Sequence, residues 1–96
     1  MLIAVITDFG IHDPYVGVVN CILSLPNDRY SLQLHRLSAH NKCYTVYHCK
    51  TYAELHDGTI GILAGSSGFI EICMNQNDCS KYLAVTIGDM VELHYE

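Results

Sequence analysis

Ile60-Gly61-Ile62-Leu63-Ala64-Gly65-Ser66-Ser67-Gly68-Phe69-Ile70-Glu71-Ile72-Cys73-Met74 is the stretch on which the fold turns. Two short apolar runs flank four small residues. Runs of that length bounded by glycine read as strands, Ile60–Ala64 and Phe69–Met74, with residues 65–68 as the tight loop between them. The same texture extends both ways. Gly88-Asp89 is a turn, and Met90–Tyr95 reads as a last strand. Residues 78–83 read as one or two helical turns. His56-Asp57-Gly58 is a turn, and residues 43–47, aromatic and β-branched, form another strand after a turn region at 38–42. Tyr30, Leu32 and Leu34 alternate with Ser31, Gln33 and His35, the period of a half-buried strand. Short strands at this spacing predict a small barrel or sandwich over residues 30–96.

The first quarter reads differently. Residues 2–6 are a continuous apolar run, a buried strand that Thr7-Asp8-Phe9-Gly10 breaks. Asp13 before Pro14 has the chemistry of an N-cap followed by a first helical residue. That predicts a helix over about residues 15–23, closed by Pro26-Asn27-Asp28. The expected class is therefore α+β: a short strand–helix unit at 1–25 packed on a small antiparallel β-barrel-like domain at 30–96.

Bulk properties narrow the function. The 96 residues suit one domain, with a core small enough that oligomerisation would help it. Half the residues are apolar and 16% are charged, a globular composition. A formal net charge of -5 gains nothing from counterion release, so nucleic acid is not an expected partner. No apolar stretch approaches a membrane span. The five cysteines, Cys21, Cys43, Cys49, Cys73 and Cys79, are an odd number with no secretory signal before them. Reduced thiols and a cytoplasmic location are expected, in the host cell if the chain is viral. Cys21 and Cys73 lie in apolar runs and read as core residues. No cofactor is implied.

Two segments carry a resemblance. Ile6-Thr7-Asp8-Phe9-Gly10-Ile11-His12-Asp13-Pro14-Tyr15-Val16-Gly17 is similar to the opening motif of the S-adenosylmethionine hydrolase (SAM hydroxide adenosyltransferase) family, relatives of the fluorinating and chlorinating enzymes. The segment from Thr51 to Leu93, centred on residues 65–72 with Asn75 and Ile87-Gly88-Asp89-Met90-Val91-Glu92 after it, resembles the C-terminal β-domain of the same family. Family members are far longer, and most of their N-terminal α/β domain has no counterpart after about Leu25. Residues 1–25 then read as a remnant of that domain.

The resemblance implies roles residue by residue. Asp8 matches an aspartate that holds a ribose diol, with Phe9 beside it. Asp13 matches a carboxylate facing the ammonium of the methionine part. Ser66 and Ser67 match residues touching the amino-acid end, in a loop small enough for close approach. The backbone around Met74, Asn75 and Gln76 matches the stretch that reads the adenine edge. The family pattern after Asn75 is Gly-Ser-Ala where this chain has Asn77-Asp78-Cys79, and Asp78 places negative charge where serine is usual. The aspartate, arginine and histidine that activate water in the family have no counterpart here. The resemblance also implies a homotrimer, or a multiple of one, with each site between subunits.

Each residue also has a plain structural role open to it. Asp13 caps without a ligand, and serines in a glycine-flanked loop make turns. Glu71, inside a strand, reads as a surface or interface charge. Tyr44, Tyr47 and Tyr52 read as strand packing. His35, His40, Cys43, His48 and Cys49 cluster in sequence, but their spacing fits no standard zinc finger or ribbon, so no metal is expected. His12, between the two aspartates of the first motif, is the catalytic candidate if catalysis persists. The leading expectation is a binder of S-adenosylmethionine or an adenine nucleotide without turnover, such as a viral sponge for a nucleotide immune signal. The rivals are a minimal S-adenosylmethionine hydrolase or lyase, and a non-catalytic assembly partner.

Overall fold

The apolar runs flanking the serine loop form an antiparallel hairpin, as their patterning predicts. The computed structural model describes residues 1–13, 15 and 17–95, and for His12 and Asp13 it describes the backbone. Seven strands follow along the chain: β1 (Leu2–Asp13), β2 (Val18–Pro26), β3 (Leu34–Ala39), β4 (Lys42–His48), β5 (Ile60–Ala64), β6 (Phe69–Met74) and β7 (Met90–Tyr95). They close into a barrel in the order β1-β2-β6-β5-β4-β3-β7, and β7 pairs back onto β1. Of the neighbouring pairs, β4 with β5 is parallel and the others are antiparallel. Among the described residues, helix is confined to α1 (Cys79–Leu83) and the 3-10 segments Asn27–Ser31 and Tyr52–Glu54. No described helix is long and apolar enough to cross a membrane.

Inward side chains alternate along each strand and meet at the axis. Ile6, Leu23, Leu37, Ile62, Ile72 and Leu93, one from each of six strands, are at most 1% exposed. Burying such a side chain stabilises by about 1.5–3 kcal/mol before the entropy of ordering it is subtracted. In β5 and β6 burial does not alternate, because the outward-facing side chains are covered as well. A parallel β4–β5 pair needs a crossover, and residues 49–59 make it over the outer face. There Cys49 and Leu55 pack on Leu63 and Cys73 as a second cluster, with Tyr52 against it. Sheets buried on two sides read as continuous apolar runs.

The barrel-like part of the expectation stands, and the α+β framing is what changes, since α1 is the one short α-helix among the described residues. Within the stretch expected as a helix, 15–23, the residues from Val18 onward run as the barrel stave β2. Val18, Val19 and Ile22 are β-branched, and Val18, Asn20, Cys21 and Leu23 are buried where β2 pairs with β1 and β6. Asp13 therefore sits at the end of β1, paired with Val18, and caps nothing helical. Pro14, expected as the first helical residue, lies outside the described residues. Gly17 stands at φ +68° immediately before β2, a left-handed conformation that suits the close of a hairpin loop. β1 does not stop at Thr7. It passes through 7–10 with a register shift between Ile6 and Asp8. The strand expected from Tyr30 begins at Leu34, because Asn27–Ser31 coils into a 3-10 turn first.

Candidate functional site

Strand register places Asp8 and Glu71 on the outer face of β1, β2, β6 and β5. Asp8 pairs with Ile22, Ile22 with Glu71, and Glu71 with Leu63, so these four side chains stand in one row. At about 4.8 Å between strands, Asp8 and Glu71 lie roughly 10 Å apart on that face. Asp8 is exposed, and its Oδ1 accepts the Phe9 N–H at 2.8 Å. Phe9 alternates to the other side, half-buried against the barrel core. It therefore does not share a face with Asp8.

Glu71, expected at the surface or an interface, is 4% exposed. Its Oε1 accepts from Nδ2 of Asn20 at 3.0 Å, and Asn20 is itself fully buried. A buried carboxylate needs such donors. Oε2 lies against Gly65: a Cβ built there would be 2.1 Å from Oε2 and 2.7 Å from the Phe69 carbonyl oxygen. Only glycine leaves room for the carboxylate beneath the loop. The loop is tied from below as well. Gly65 N donates to Phe69 O at 2.9 Å, Asn27 Nδ2 donates to Gly65 O at 2.9 Å, and Asn27 N donates to Gly68 O at 3.0 Å. These bonds hold Ser66 and Ser67 outward and exposed. Ser66 lines a depression of about 320 Å³ together with Lys50, Thr51, Tyr52 and Glu71.

The other end of β6 is built differently. Met74 points into the barrel core at 1% exposure, so its side chain is not a ligand contact. Asn75 Nδ2 donates to Leu55 O at 3.0 Å, and Gln76 turns the chain at φ +54°. Asp78, the departure from the family pattern, is the N-cap of α1. Its Oδ1 accepts from Ser80 N at 2.9 Å and Lys81 N at 3.3 Å. Ser66 and Ser67 thus stand at one end of β6 and residues 74–76 at the other. A ligand touching both would have to span the strand, about 17 Å.

The side chains of His12 and Asp13 lie outside the described residues. The Gly88-Asp89 turn binds the first motif directly: Ile6 N donates to Asp89 O at 2.9 Å, and Gly88 N donates to Ile6 O at 2.8 Å. The Asp89 carboxylate accepts Thr86 N at 2.9 Å and meets His40 Nε2 at 3.2 Å. His48 Nε2 meets Leu34 O at 3.1 Å, and its ring lies 4.6 Å from that of Tyr30. No group of three metal-ligating side chains converges among the described residues. Sequence reasoning misses Asn20. Its signal is an amide inside the run Val18-Val19-Asn20-Cys21-Ile22, where burial demands a polar partner.

Residues 19–92 match the family described as SAM hydroxide adenosyltransferase C-terminal domain. Among solved structures, an uncharacterized conserved protein from Thermotoga maritima superposes with a TM-score of 0.74 at 25% identity, covering 95% of this chain and 35% of that one. A conserved hypothetical protein from Thermus thermophilus superposes at 0.63 with 22% identity, over 96% of this chain and 34% of that one. The chain therefore spans about a third of the length of either structure. No curated protein matches it.

Proposed function

Since the chain belongs to the SAM hydroxide adenosyltransferase C-terminal domain family, we propose that it binds S-adenosylmethionine or a related adenine nucleotide at the outer face carrying Asp8 and the serine loop. The observation that carries this is the loop itself. Glu71 is buried beneath Gly65, Asn27 clamps the loop from the side, and Ser66 is held on the wall of an open depression. Such a preformed wall costs little ordering entropy when a ligand arrives. The amino-acid end of the ligand would sit in the depression beside Ser66, with its ribose directed toward β1 on the same outer face. Asp8, on the same face, would accept from the ribose hydroxyls.

Binding without turnover is the preferred form. The Glu71 carboxylate is engaged by Asn20, and among the described residues no histidine lines the depression, so a general base for water is not at hand there. Sequestration of an adenine-containing signal would suit such a site, as would assembly of subunits that complete one another's sites. The test is to mix the purified chain with S-adenosylmethionine and a panel of adenine nucleotides. The free and heat-released pools are then read by mass spectrometry. Recovery of an intact ligand that Asp8→Ala and Ser66→Ala each abolish is expected. Conversion to adenosine and methionine would establish an enzyme, and an empty protein with an unchanged panel would end the binding proposal.

A further inference from the structure

Four of the five cysteines are buried, and they meet as two pairs. Cys49 Sγ lies 3.6 Å from Cys73 Sγ on the outer face of β5 and β6, under the crossover. Gly61 makes the space: a Cβ there would be 2.8 Å from Cys49 Sγ and 2.6 Å from Leu55 Cδ1. The Cys21 and Cys79 thiols meet on the barrel side, both at 0% exposure. The pairs differ in access. Cys49 lines a cavity of about 310 Å³ with Tyr47, His48, Glu54 and His56, while Cys73 sits behind it at 0% exposure. Cys43 is exposed and separate, 3.2 Å from Ser38 Oγ.

We propose that Cys49 and Cys73 form a peroxide-reactive thiol pair, Cys49 taking the oxygen and Cys73 closing the disulfide. A hydrogen peroxide molecule is small enough to enter the cavity. The Cys49 sulfur attacks one peroxide oxygen, the O–O bond breaks, and Cys49 becomes a sulfenic acid as water leaves with the thiol proton. The Cys73 sulfur then attacks the Cys49 sulfur. The S–O bond breaks, the S–S bond forms, and the Cys73 proton departs with the hydroxide as a second water. Two thiols lose two electrons to one peroxide.

The electrostatics agree with this division of labour. The hydrogen bond from Cys73 holds the Cys49 thiol below its ordinary range, against burial and the Glu54 charge. Donating that bond, and burial, push Cys73 well up, so it keeps its proton until the second step. The thiolate is the nucleophile, so the oxidant meets the more reactive member first. A disulfide needs the sulfurs at about 2 Å. The approach from 3.6 Å falls to the chain after Cys49, which belongs to no strand.

The experiment uses the full chain, both as wild type and with Cys43→Ser to remove the exposed thiol. Folded protein is treated with hydrogen peroxide, unfolded, alkylated and mapped by peptide mass spectrometry. Loss of two hydrogens, with a linked Cys49–Cys73 peptide and fully alkylated Cys21 and Cys79, is expected. In Cys43→Ser/Cys73→Ser, Cys49 should stop at the sulfenic acid and be captured by a cyclic dione. The proposal is overturned if Cys49 and Cys73 both remain alkylatable after treatment. It is equally overturned if the first linkage forms between Cys21 and Cys79. Because the wild-type map alone gives either result, poor folding of the double variant does not shelter the idea.

Discussion

At the start of β6, polar groups hold a loop open; at its end, polar groups satisfy the chain's own backbone. Asn27 bonds the backbone on either side of Ser66 and Ser67, and Glu71, held by Asn20, fills the space beneath Gly65, while both serines stay exposed. Asn75, Asn77 and Asp78 instead bond to Leu55 O, Asn75 O and the first amides of α1. The contrast teaches where side-chain roles can be transferred from a family. At the serine end side chains are presented, so they can read a ligand. At the other end Asn75 and Asp78 are engaged by the chain's own backbone, so their identity should matter to stability and little to binding.

The sharpest way to break this contrast is Gly65→Ala. The new methyl meets the Glu71 carboxylate and the Phe69 carbonyl, and overpacking of this kind costs about 1–3 kcal/mol. Urea titration should show the loss, with ligand retention lost too. Asn20→Ala comes next. It removes a donor to a buried carboxylate, and hydrogen bonds to charged groups are worth about 1.5–3 kcal/mol. If the melting temperature does not move, Glu71 is held by something other than Asn20. Asp78→Ala should cost about 1 kcal/mol as a lost N-cap, with ligand retention unchanged. A drop in affinity from that substitution would erase the distinction between the two ends. Ser66→Ala should shift stability by less than about 0.5 kcal/mol, as exposed substitutions do, yet abolish ligand recovery.

What can be read in advance follows from local pattern. β5, β6 and β7 and the turns read at 56–58, 65–68 and 88–89 are legible because apolar runs are punctuated by glycine at each. The helix expected at 15–23 is a misreading because an aspartate such as Asp13 suits a helix start and a strand end alike. Gly17 and the valines after it, Val18 and Val19, decide for a strand, but only once β1 and β6 stand on either side of β2. The site divides similarly. The exposed serines are visible in sequence as a small-residue loop. The burial of Glu71 is not, since a charge within a strand has the same pattern whether the crossover covers its face or leaves it open. Asn20 and Glu71 are 51 residues apart and meet only through strand pairing.

The closure of the barrel has a consequence for how the chain reaches this state. Leu2 pairs with Leu93 and Val5 with Met90, so the seam joins the most distant strands in sequence. Such contacts are the slowest to form, because loop-closure entropy must be overcome before they contribute. Until β7 arrives, β1 and β3 each present an unpaired edge bearing apolar residues, the template on which chains aggregate. During synthesis β7 leaves the ribosome after the other six strands. Yield of soluble protein should therefore depend steeply on temperature and chain concentration during expression, even though the finished barrel has no open edge.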